Sequence, residues 1–226
     1  IIMANHPLWQ EEYWLPLMQL YLKKPVGVKA IYSRAMVELA LELNIEPQFL
    51  YEQMFWLRQH STPSLDLLWN KFINHAKKLN AEVDQLRLMK GFNHADEFYH
   101  GVQTKDTWQT DFKPLSNYYS EFQDANNMLM PFYLIIILDL YFHLTPITMV
   151  IETSEIQELA KLMDITPEVI VEVMDAFQQC DPYFNRVTLK VSPLFESCHD
   201  IWQRYGNGNP QELAALASQL KEYFRK

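Results

Sequence analysis

An ungapped internal repeat narrows the folds open to this chain more than any other feature. Glu38, Leu39, Ala40, Ile45, Pro47, Glu52, Met54 and Gln59 recur as Glu158, Leu159, Ala160, Ile165, Pro167, Glu172, Met174 and Gln179, each 120 positions later. Self-similarity at a fixed offset marks one supersecondary unit used twice. Each copy reads as a short helix beginning near Ser33 or Thr153, with an alanine where two helices cross closely. A tight turn through Asn44 or Asp164 follows, and then a second helix opened by proline. Proline suits the first helical position because the N–H it lacks is one the helix leaves unpaired anyway. In the second copy Thr166 adds a capping hydroxyl just before Pro167.

The most apolar stretch is Met128 to Ile151, densest from Phe132 to Leu144. Thirteen helical residues rise about 20 Å, short of the roughly 30 Å hydrocarbon core of a bilayer. Asp139, His143, Pro131 and Pro146 interrupt any longer span. The segment 131–144 therefore reads as a buried central helix, bracketed by proline at both ends, and no membrane partner is expected. Asp139 and His143 lie four residues apart on one helical face and are a candidate buried polar pair, with a proton-handling dyad as the alternative.

Elsewhere the apolar spacing is again helical. Leu65, Leu68, Trp69, Phe72, Ile73, Ala76 and Leu79 follow one stripe, and similar stripes run through Trp9 to Leu22, Leu115 to Phe122 and Leu213 to Phe224. Asn209 with Pro210 is a start signal for the last of these. By contrast, Val187, Leu189 and Val191 alternate with Arg186, Thr188 and Lys190, the period of a half-buried strand, and Ile147 to Ile151 is a second strand candidate. The polar stretch 101–114 lacks periodicity and reads as a loop or linker. It separates an N-terminal helical region, 1–100, from a C-terminal one, 115–226.

The arrangement around the repeat resembles the helix-turn-helix family, and around the second copy it resembles a winged helix. There the strand candidate Ile147 to Ile151 precedes the helix pair and Arg186 to Val191 follows it. The resemblance implies a mainly α fold with two helix-turn-helix-like units. The first spans 33–59; the second, 147–191, is winged-helix-like with a small two-stranded β element. The same shape serves DNA binding and many protein contacts, so it does not set the function by itself.

Charge discriminates between those uses. The chain has 226 residues and a formal net charge of -9, which favours solubility and opposes a nonspecific hold on nucleic acid or anionic lipid. Projected around a helix, the second copy turns Val169, Ile170, Val173, Met174 and Phe177 inward and leaves Glu168, Glu172, Asp175, Gln178 and Gln179 outward. A recognition helix needs lysine or arginine for phosphate, and that face offers carboxylates. The first copy presents Gln48, Glu52, Phe55, Trp56 and Gln59 outward. Exposed aromatics of this kind meet another protein surface or another part of the same chain. Arg186 and Lys190 remain as a candidate basic wing.

Catalytic signatures are weak. Five glycines leave little to build a phosphate-cradling loop, and neither GxGxxG nor GxxxxGK[ST] occurs. Two Glu-x-x-His pairs, Glu97 with His100 and Glu196 with His199, have the spacing used in carboxylate-bridged di-iron bundles. In each, however, the glutamate projects opposite the apolar stripe of its helix, and His94 lies too far around the helix to complete a surface site. No metal or other cofactor is expected. Two cysteines, Cys180 and Cys198, make no disulfide framework, and no signal-like start is present, which points to a reducing cytoplasm. The reading that results is a non-enzymatic regulatory or adaptor protein acting through contacts with another protein or with itself. A DNA-binding regulator of winged-helix type is the alternative, and an enzyme with an unrecognised site is the third.

Overall fold

The computed structural model describes residues 6–92, 107–115, 118, 128–184 and 190–225. The chain is mainly helical and divides into two compact units, Ile1–Gln109 and Thr110–Lys226.

In unit 1 a 3-10 turn, Glu11–Tyr13, runs into α1 (Trp14–Leu22). Pro16 is tolerated in the first turn of α1, where backbone N–H groups have no partner in the helix. There follow α2 (Arg34–Leu43), α3 (Pro47–Arg58), α4 (Pro63–Phe72) and α5 (Ala76–Leu88). α1 packs against α2, α3 and α5, and Leu17, Met18, Met36, Leu50, Met54 and Leu57 are fully buried at the centre. Trp9 meets Tyr13 and Trp14 edge-on and seals the end of α1 near Phe49. Each such aliphatic side chain contributes roughly 1.5–3 kcal/mol on burial, which is why the apolar stripes decide the packing.

The stripe from Leu65 to Leu79 is continuous in sequence and broken in structure. α4 ends at Phe72, whose carbonyl accepts from the His75 amide at 2.8 Å, and His75 leaves helical geometry before α5 starts at Ala76. Leu65, Phe72 and Leu79 nevertheless all reach the core. The polar segment 101–114 carries a short helix in its described residues, α6 (Thr107–Asp111).

Unit 2 is built around α7 (Pro131–His143), in which Phe132 to Leu138 and Tyr141 are buried. A helix apolar on every side has to be wrapped, and α9 (Pro167–Cys180), α10 (Phe195–Ile201) and α11 (Pro210–Lys221) all pack against it. α8 (Ser154–Met163) pairs with α9. Beyond α10 the chain widens into a π-helical turn, Trp202–Gly206, and α11 starts on the Asn209 side chain, which accepts from the Gln211 amide at 2.9 Å. At one end of α7 Phe132 touches Phe112, Tyr223 and Phe224; at the other, Tyr141 touches Phe177 and Trp202. Tyr141 donates its hydroxyl to Asp181 at 2.9 Å, and burial, then this bond, raises its pKa. Arg204 holds Asp111 with two hydrogen bonds, at 2.8 and 2.7 Å.

The two copies of the repeat fold alike in detail. α2 and α8 each have ten residues and each stops at a residue in the left-handed region, Asn44 at φ 56° and Asp164 at φ 56°. The next amide turns back onto the crossing alanine in both: Ile45 N–H to the Ala40 carbonyl and Ile165 N–H to the Ala160 carbonyl, each at 3.1 Å. This is the closing bond of a Schellman-type helix end, and it launches α3 and α9 at the proline. Thr166 does not cap α9 with its side chain, contrary to the sequence reading.

The small sheet is absent from the described residues. Ile147 to Ile151 begins inside a 3-10 turn, Pro146–Thr148, because Pro146 at its first position and a reciprocal Thr145–Thr148 capping box start a helix-like turn there. Of the second strand candidate, residues 185–189 lie outside the described residues, and Lys190 and Val191 are exposed non-strand backbone.

Candidate interaction surface

Gln48 and Glu52 on α3 and Gln59 at its C-cap are exposed, and the Gln48 amide donates to Glu52 at 2.8 Å. Trp56 is not a free surface aromatic: it packs on the core of unit 1, and its carbonyl accepts from both Ser61 N–H and Ser61 Oγ. Phe55 is half-buried, with its ring edge-on to Tyr51 at 5.1 Å. Arg58 is the one basic residue on that helix.

On α9, Asp175 is exposed, and Glu168 and Glu172 are half-buried. Tyr118 donates its hydroxyl to Glu172, so a residue from before α7 lies over the face that a recognition helix would turn to DNA. Gln178, which the projection sends outward, is 4% exposed; its amide lies 3.2 Å from Met149 Sδ, and its Oε1 has no partner. Gln179 accepts from the Ser192 amide at 3.0 Å. No lysine or arginine occurs in α9. The face is therefore acidic and in part already occupied by its own chain.

The remaining sequence candidates are placed as follows. Asp139 and His143 do not form a buried pair: His143 is 66% exposed, its Nδ1 is 3.8 Å from the Asp139 carboxylate, and it lies closer, 2.7 Å, to the Asp139 carbonyl. α7 ends at His143, so its last turn reaches the surface. Arg186 of the candidate wing lies outside the described residues, as do His94, Glu97 and His100. Glu196 is exposed on α10, and His199 stacks on Phe195 with centroids 5.6 Å apart. Among the described residues no three His, Cys, Asp or Glu side chains gather as a metal site would require, and no helix is long and apolar enough to cross a membrane. Cys180 is half-buried and Cys198 buried; burial pushes the Cys180 thiol up to about 11 and raises Cys198 as well.

Two features escaped the sequence reading. One is a cleft of about 550 Å³ in unit 1 between α1, α2 and α5. Its polar lining is largely paired with itself: Gln19 donates to Asn80 at 2.9 Å, and Arg87 grips Glu42 at 2.6 and 3.1 Å. These bonds tie α5 to α1 and to α2, so they explain the cleft as packing. Its residues come from three separated helices, and no local spacing announces it.

The other is the turn 145–153 in unit 2. It is internally braced: Thr145 and Thr148 cap each other, Thr153 Oγ1 donates to the Thr148 carbonyl, and Gln157 donates to the Ile151 carbonyl at 3.2 Å. Met149 points inward and is 6% exposed, against Gln178. Its neighbours point out: Ile147 is 88% exposed, Val150 42% and Ile151 40%, with Phe142 at 42% just before the turn. Single exposed apolar residues are ordinary, but four within ten residues, three of them on a braced turn, form a patch. No protein-family model, characterised protein or solved structure matches this chain.

Proposed function

We propose that this chain is a non-enzymatic adaptor or regulatory protein that works through contacts with another protein. The observation that carries the reading is the exposed apolar turn of unit 2, Ile147, Val150 and Ile151 with Phe142 beside it. Side chains held outward on a hydrogen-bonded frame cost little further entropy when they are covered, and covering them removes apolar surface from water. The second helices of the repeat support the same reading, since an acidic α9 without a cation opposes a phosphate backbone. On this view the helix pairs are scaffold, and the turn that leads into α8 is the working surface.

The direct test places a photo-crosslinking phenylalanine analogue at Ile147, and at exposed Gln219 as a control, in the chain expressed in its native host. The adaptor reading expects a discrete protein adduct from position 147 that position 219 does not give. No adduct at 147 removes the reading. A parallel titration with mixed-sequence duplex DNA discriminates the DNA-binding regulator: anisotropy that rises at low salt and collapses steeply with added salt would replace the adaptor by that regulator.

A further inference from the structure

The apolar turn stands in an unusual electrostatic setting. Between Lys113 and Lys161 the chain contains no lysine or arginine, a stretch that includes all of α7, the turn and most of α8. Of the acids in that stretch, Asp139, Glu152, Glu155 and Glu158 are among the described residues. Glu152 follows Ile151 directly, and Glu155 and Glu158 lie on the first turns of α8; all three are exposed. None of the three forms an ion pair among the described residues; Glu155 accepts from Ser154 Oγ at 2.8 Å. A bond from its own backbone N–H, then the one from Ser154, lowers the Glu155 pKa. Asp139 lies one turn before His143 at the end of α7 that carries Phe142, its carboxylate 3.8 Å from His143 Nδ1. Among the described residues the patch is thus an apolar centre with carboxylates at its rim, and Lys161, three residues beyond Glu158 at the far end of α8, is the nearest lysine or arginine along the chain.

This setting selects the occupant. A second copy would bring an equally acidic rim against this one, in a chain of net charge -9, and like charges pressed together oppose docking. An anionic membrane surface is opposed for the same reason. A partner with apolar anchors flanked by lysine or arginine satisfies both halves of the surface. We infer that the turn 145–153 and the start of α8 form a docking site for a basic amphipathic segment of a partner protein, its apolar side chains on Phe142, Ile147, Val150 and Ile151 and its cations on Glu152, Glu155 and Glu158. This rests on the adaptor reading and adds the chemistry of the partner. Anchors on one face of a helix, three and four residues apart, suit a patch of this kind.

The test uses the full chain and two labelled helical peptides, one with leucine on one face and lysine on the other, the second with glutamate in place of lysine. The lysine peptide is expected to bind, more weakly as salt rises, and the glutamate peptide not to bind. Glu152→Gln with Glu155→Gln is expected to weaken the lysine peptide about fivefold, from two exposed pairs at the modest worth of surface ion pairs. The equally charge-reducing pair Glu196→Gln with Glu212→Gln, on α10 and α11, is expected to leave binding unchanged, which separates a local site from the attraction of any cation to an acidic protein. Ile147→Ser with Ile151→Ser removes apolar anchors without burying anything new and is expected to weaken binding further. Equal binding of both peptides, or equal losses from the two glutamine pairs, overturns the inference. So does a dimer in sedimentation that Ile147→Ser dissolves, because a second copy would then cover the patch. If position 147 crosslinks to a protein while the lysine peptide fails to bind, the partner chemistry is wrong and the adaptor reading stands; if both fail, both fall.

Discussion

Exchanging the left-handed residue at each repeat corner separates backbone conformation from side-chain contacts, because alanine and glycine remove the same contacts but differ in backbone freedom. Asn44 and Asp164 share φ 56°, with ψ 34° and 41°, a region that costs an ordinary L-residue about 1–2 kcal/mol and glycine almost nothing. At Asn44 both substitutions lose the long bond from Gln109, 3.5 Å, so that loss cancels between them. Asn44→Ala is therefore expected to be less stable than Asn44→Gly by about 1 kcal/mol, roughly fivefold in the folded-to-unfolded ratio, and Asp164→Ala less stable than Asp164→Gly by the same amount. The sign is the discriminating part. In a helix interior alanine exceeds glycine by about 1 kcal/mol, so a helix running through either corner would reverse the order. Guanidinium denaturation of the four variants, followed by far-ultraviolet circular dichroism, reads the difference as a shift in midpoint. Alanine matching or exceeding glycine at either position would refute the claim that both corners are closed by a left-handed residue.

Two further outcomes follow from local geometry. A Cβ at Gly206 would lie 2.7 Å from the Trp202 ring, whereas one at Gly208 would meet only the Tyr205 carbonyl at 3.4 Å; Gly206→Ala is expected to cost about 1–3 kcal/mol and Gly208→Ala much less, and equal melting temperatures would remove the argument. With its pKa pushed up to about 11 by burial, Cys180 has few thiolates at pH 8, so alkylation by iodoacetamide is expected to run about a hundredfold slower than for an unperturbed cysteine and to keep rising through pH 10; a rate that levels off near pH 9 in mass spectra would contradict that burial.

The parts of this fold that were legible in the sequence are those set by neighbours along the chain. Pro47 and Pro167 opened their helices where expected, Asn44 and Asp164 closed the preceding ones, and α7 spans Pro131–His143 because its composition is apolar on every side. What failed depended on elements that meet from afar. Gln178 projects outward on a helical wheel, yet the turn carrying Met149 lies over it. Trp56 projects outward too and is half-covered by the core of unit 1. Ile147, Met149 and Ile151 have the alternation of a strand, but Pro146 and the two threonines start a turn, so only Met149 goes inward. Asp139 and His143 were rightly placed on one face, while the depth of that face depended on where α7 emerges from its wrapping helices. The exposed patch could not be separated from core in the sequence, because an outward isoleucine and an inward one are the same letter.

The wrapping of α7 also has a consequence for how the chain is made. Phe132 stacks on Phe224 and meets Tyr223 edge-on, so the residues that cover the start of α7 lie about 80 positions beyond its end. At a synthesis rate of about 5–20 residues per second, this apolar helix waits roughly 4–16 s on the ribosome before its last partners emerge. During that interval it has the look of a nascent client for a chaperone that binds apolar segments, and cutting the chain before Tyr223 would make the wait permanent.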